Sequence, residues 1–165
     1  MRISERELRV SHVAVEIDRP YLDVKKDLES RVNKLDEKIR ALLAAERIDE
    51  LKEALANAAA PWGLLIHYTA IHGDWLMLKG RRGNTTAYLI GNVLSAVEMT
   101  HETYAAGLYA PLRVILYENE RGGSTFEYDK PTTLFGQFNI AAIDNMAASL
   151  DLRLSNLLTS LSHRD

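Results

Sequence analysis

An α+β fold, with an antiparallel sheet of about five or six strands packed against a long C-terminal helix, is predicted by three features of the sequence. The first is a period-two run in which Val13, Val15 and Ile17 alternate with His12, Ala14 and Glu16. The second is a series of short β-branched and aromatic runs between residues 63 and 129, separated by Gly, Asn and Asp. The third is an apolar stripe at helical spacing, Ile140, Ile143, Met146, Ala147, Leu150, Leu154, Leu157 and Leu161.

The elements follow in order. The first strand ends at Asp18-Arg19-Pro20, because proline cannot donate to a ladder and fits just inside a helix start. From Tyr21 the period becomes helical, with Val24, Leu28, Leu35, Ile39 and Leu42, then Ile48, Leu51 and Leu55 after a bend near Glu46 to Asp49. This helical insertion, residues 21–60, ends at Ala60-Pro61. GLLIHYTAIHG reads as a strand, DWLMLKG as its hairpin partner and TTAYLIGN as a further strand. SAVEMTHETYAA reads as a short helix with Ser95 as N-cap and Glu98 three residues on, a capping box. PLRVILYENE and STFEYD form two strands joined across Arg121-Gly122-Gly123. Pro131 then suits a first helical position, and Asn139 a cap for the long helix of the region 131–162.

The 165 residues suit one domain spanning 1–165, with 47% apolar and 26% charged residues and no cysteine. Disulfides and thiolate chemistry are thereby excluded. A net charge of −3 offers no field for a polyanion, and the one basic cluster, Lys79, Arg81 and Arg82, reads as a solvated turn, so no nucleic-acid partner is expected. MRISERELRV is charged where a signal peptide needs an apolar core, and no run approaches the roughly 20 apolar residues of a membrane span. The expectation is a cytoplasmic protein without a membrane partner.

Metal and cofactor chemistry find no pattern. His67 and His72 are five apart and diverge in a continuous strand, His101 and Glu102 are adjacent, and His12 and His163 lie near the chain ends. There is no G-x-S-x-G elbow, and GRRGN lacks a following phosphate-cradling helix. No metal and no cofactor are expected. The stronger candidates lie on the late hairpin. Arg113, Ile115 and Tyr117 share one strand face, and Glu127 reaches the same face if register follows Gly122-Gly123. An arginine, a tyrosine and a carboxylate together suit a polar or anionic ligand; the competing reading is a solvated face of cross-strand pairs. Asn92, at a strand end after Gly91, and His67 complete the candidate ligand-binding set. No catalytic residue is assigned.

YLIGN (Tyr88 to Asn92), PLRVILYE (Pro111 to Glu118), FEYDKP (Phe126 to Pro131) and the late helix with Leu150-Asp151 resemble the domain-of-unknown-function family 302, in a longer subgroup. The resemblance spans roughly residues 60 to 162, with Val93 standing where many members have proline. It implies a TATA-box-binding-protein-like or helix-grip arrangement, often dimeric, and no established reaction; a homodimer is therefore expected, since pairing also covers exposed sheet edges. The function expected is binding of a small polar or anionic organic molecule between sheet and helix, with weak acid–base activity as an extension; the alternative is a homodimeric interaction or scaffold module. Whether the protein is an enzyme stays open.

Overall fold

The computed structural model describes residues 1–163. Its sheet has five strands: β1 (His12–Ile17), β2 (Leu65–Ala70), β3 (Thr85–Gly91), β4 (Leu112–Glu118) and β5 (Ser124–Asp129). Their spatial order is β1-β5-β4-β3-β2, and every neighbouring pair is antiparallel. Strands β2 to β5 form a meander, and β1 closes against β5, so the chain crosses from one sheet edge to the other between β1 and β2. Three helices make that crossing: α1 (Tyr21–Arg31), α2 (Glu37–Ala44) and α3 (Ile48–Ala59). The four-residue α4 (His72–Trp75), α5 (Val93–Glu102), α6 (Pro131–Phe135) and α7 (Ala141–Ser162) follow.

Period-two patterning decides which face is covered. Ile90, Tyr88 and Thr86 pair across the ladder with Leu112, Val114 and Leu116, and the last two oppose Tyr128 and Phe126. All are buried, and with Val24 and Leu28 of α1 and Ile143, Leu150, Leu154, Leu157 and Leu161 of α7 they form the main core. A smaller cluster, Ile39, Leu55, Ala59 and Leu65, holds α2 and α3 beside the β2 edge.

Four local expectations are corrected. DWLMLKG is not a strand: it forms α4 and a 3-10 turn over Leu76–Lys79, leaving five strands rather than six. The run Trp75-Leu76-Met77-Leu78 lacks alternation, and the carbonyl oxygen of Gly83 sits 1.9 Å from where a side chain on Gly73 would begin. That approach tucks the segment against the start of β3. The helix expected through Leu42 breaks at residues 32–36, where Lys34 bridges Ile66 in parallel and Leu35 N–H donates to the Ile66 carbonyl at 2.9 Å. Asp36 then caps α2 by accepting from Ile39 N–H at 2.9 Å. The cap of α5 is Asn92, not Ser95: its Oδ1 accepts from Ser95 N–H at 2.8 Å, and the earlier start buries part of Val93 and Leu94 against α2 and α3. Glu98 takes no part in the cap and is exposed. Asn139 is not the cap of α7 either; it adopts φ +53° at the end of the preceding turn, a left-handed conformation asparagine tolerates, and α7 starts after Ile140.

Leu150 and Leu154 are buried on α7 as the stripe predicts. Leu154→Ala should lower the unfolding free energy by about 2–5 kcal/mol in urea titration, because the site is packed on all sides. A loss below about 1 kcal/mol would mean that α7 presents a different face to the sheet.

Candidate functional site

The predicted site residues fall on two sides of the sheet. Arg113, Ile115 and Tyr117 do share a face, and Ile115 pairs with Glu127, which puts Glu127 beside Tyr117. This is the face away from α1 and α7, since the alternate residues Leu112, Val114 and Leu116 are the buried ones. Arg113, Tyr117 and Glu127 therefore do not face α1 or α7. Tyr117 Oη donates to Glu127 Oε1 at 2.5 Å, His12 Nε2 lies 3.1 Å from Glu127 Oε2, and His12 Nδ1 lies 3.0 Å from Asp129 Oδ1. The network ties β1 to β5 and β5 to β4. Arg113 stands outside it, with no hydrogen bond or ion pair among the described residues, beside a recess of about 280 Å³ shared with Leu108, Tyr109 and Asp129.

Electrostatics in this network are those of mutually satisfied groups. The hydrogen bonds to Asp129 and then Glu127 raise the His12 pKa, and the hydrogen bond from Tyr117, with help from His12, lowers that of Glu127. Tyr117 is raised chiefly by the same bond to Glu127. His101 and Glu102 are exposed, and among the described residues no group of three or more His, Asp or Glu is placed to hold a metal ion.

His67 and Asn92 lie on the other side. Ile66 pairs with Ile90 and Tyr68 with Leu89, so consecutive residues of β3 face residues two apart on β2, and His67 is the extra residue of a β-bulge. A bulge re-aims the side chain that it inserts. Here the imidazole turns to the β2 edge and forms a wall of a cavity of about 230 Å³ between the sheet end and α5, floored by Phe135 of α6 and Leu150 of α7. The strand was expected to be continuous; one-residue bulges leave no mark in a hydrophobic pattern.

The cavity is apolar except for three side chains, His67, Asn92 and Thr100. Asn92 is committed at both ends, accepting from Ser95 N–H and donating Nδ2 to the Gly63 carbonyl at 2.8 Å. Thr100 Oγ1 donates to the Ala96 carbonyl at 2.7 Å within its own helix. His67 Nε2 is buried and has no hydrogen-bond partner among the described residues. Burial lowers the His67 pKa most, attraction between the ring and the Gly91 backbone opposes this, and the positive charge of Arg40 adds a smaller lowering. The ring is held neutral, so Nε2 can donate or accept one hydrogen bond according to tautomer. Gly91 keeps the wall open: a β-carbon there would stand 3.8 Å from Nε2 and 3.1 Å from the Pro111 ring.

Three comparisons with known proteins bear on this arrangement. The family model described as "Domain of unknown function DUF302" matches residues 41–161. A crystal structure of an uncharacterized conserved DUF302 protein from Bacillus stearothermophilus superposes with a TM-score of 0.63 at 19% identity, over 90% of this chain and 95% of that one. At that identity the likeness shows the fold. No curated protein matches the chain.

The surface network makes a signed prediction. A histidine whose folded pKa is raised contributes stability that is complete below its unfolded value of about 6.5 and is lost as pH rises through the folded value. The urea midpoint of the protein should therefore exceed that of His12→Gln by more at about pH 5.5 than at about pH 8.5. An equal difference at both would show that His12 carries no charge-dependent bond to Asp129 and Glu127.

Proposed function

The chain belongs to the DUF302 family, and we propose that it binds a small organic molecule between the sheet and α5, with an apolar body against the cavity wall and one polar atom on His67. The observation that carries this reading is the partnerless, buried Nε2 in a wall where the other two polar side chains are spent within the fold. A buried polar atom without a partner costs about 1–3 kcal/mol, and a ligand that meets it recovers that cost. Bulge and glycine act together: one turns the ring to the cavity, the other keeps the approach clear. Acid–base chemistry in this cavity would centre on His67, whose lowered pKa makes the neutral ring the resting form.

Native mass spectrometry of protein purified without denaturation should show a small co-purifying mass. His67→Leu, which keeps the bulk and removes Nε2, should weaken retention by about tenfold, as loss of one hydrogen bond in a dry site does. Ala96→Phe, which fills the cavity from α5, should abolish retention with little change in thermal stability. A ligand retained equally by all three proteins would refute the site.

A second reading, pairing of two copies as a homodimeric module, is favoured by the uncovered sheet face, where Tyr68 is 61% exposed beside Leu89, and by the open edge of β1. Sedimentation at micromolar concentration should then give twice the chain mass and Tyr68→Lys should give the single mass; a monomeric parent protein removes this reading.

A further inference from the structure

We propose that the groove between α2, α3 and α5 seats the alkyl chain of a medium-chain aliphatic carboxylate, with the carboxylate held between Arg40 and the His67 ring. The inference rests on His67 being a ligand site and names the class of ligand. The groove encloses about 460 Å³ and is walled by nine aliphatic side chains, among them Ile39, Leu43, Leu51 and Val97, within the range of about 300–1,000 Å³ usual for small-molecule sites. Leu43, Ile48 and Val97 remain exposed along it, although a mostly aliphatic groove gains by being covered.

Its polar members are all of one kind. Arg40, Lys52 and His67 line the groove, and no acidic residue does. Lys52 has no hydrogen bond or ion pair among the described residues, and Arg40 meets only the exposed Glu37, at 3.5 Å from the preceding turn of α2. An exposed pair of this kind contributes little, so a ligand carboxylate can compete for the guanidinium. His67 completes the head site, since its Nε2–H tautomer donates to a carboxylate while the ring stays neutral.

Continuity favours a slender ligand over a docked helix. His67, Val93 and Val97 border both this groove and the cavity under α5, so the two spaces meet at the imidazole. A partner helix, about 10–12 Å across with its side chains, covers such a groove from outside and leaves Nε2 unmet. An alkyl carboxylate reaches it.

The probes are decanoate, decanol and acetate, titrated into the full chain and followed by NMR at the His67 ring and at the Ile39, Leu43, Leu51 and Val97 methyl groups. Decanoate should saturate and shift both sets, with decanol at least about tenfold weaker because it lacks the charge-assisted bonds, and acetate without measurable effect. Arg40→Gln, at an exposed position, should bring decanoate down to the affinity of decanol. Equal affinities for decanoate and decanol in the parent protein, or shifts confined to residues outside the groove, would overturn the inference. If decanoate leaves His67 unmoved while benzyl alcohol still shifts it, the chain-and-carboxylate assignment fails and the cavity reading stands. If neither shifts it, both fall.

Discussion

A sheet covered by helices on one side only must keep its two faces chemically distinct along every strand, and most of this structure follows from that requirement. Tyr88, Ile90, Leu112, Val114, Leu116, Phe126 and Tyr128 all point the same way, and α7 lays Leu150, Leu154, Leu157 and Leu161 across them. Each such side chain contributes about 1.5–3 kcal/mol when fully buried. A slip of one residue in any strand would exchange that face for the polar one. Register is thus enforced by burial along the whole ladder, and the single permitted slip, at His67, lies in the edge strand β2.

Polar stitching fixes the helices once burial has chosen the face. Arg19, itself buried, donates to the Leu161 carbonyl at 2.8 Å and pairs with Asp27 at 2.6 Å, so it ties the end of α7 to α1. Such a cation completes carbonyls that a helix C-terminus leaves unmatched. At the other end of the sheet, the Gly63 carbonyl accepts from both Asn92 and Arg153, which joins the loop before β2 to α5 and α7. Asp151 accepts from Thr132 N–H and Oγ1, capping the first turn of α6 from within α7. The bonds to Gly63 and Asp151 hold together cavity walls that come from separate parts of the chain.

Patterns that depend on sequence neighbours were legible, and those that depend on distant backbone were not. Alternation in β1 and β5, the leucine stripe of α7 and the Arg113–Tyr117–Glu127 face could be read from period alone. The break at residues 32–36 could not, because Asn33 to Leu35 leave the helix to bond with Ile66 on another element. Ser95 with Glu98 matches a capping box, yet Asn92 is an equally good cap three residues earlier, and the burial of Val93 and Leu94 decides between them. His67 belongs to the candidate set, but its reason for standing at the cavity, an inserted residue in β2, is invisible to hydrophobic periodicity.

That inserted residue divides β2 into two halves whose inside and outside are out of phase. Ile66 faces the core on one side of it and Thr69, not Tyr68, faces inward on the other. The imidazole is thus accommodated by chain length rather than by replacing a core side chain. Removing one residue there would restore an unbroken ladder and leave β3, β4 and β5 untouched, while inserting one would recreate the cavity wall. For a lineage built on this sheet, the imidazole wall of the cavity can be gained or lost through a single codon of length, without repacking the core beneath it.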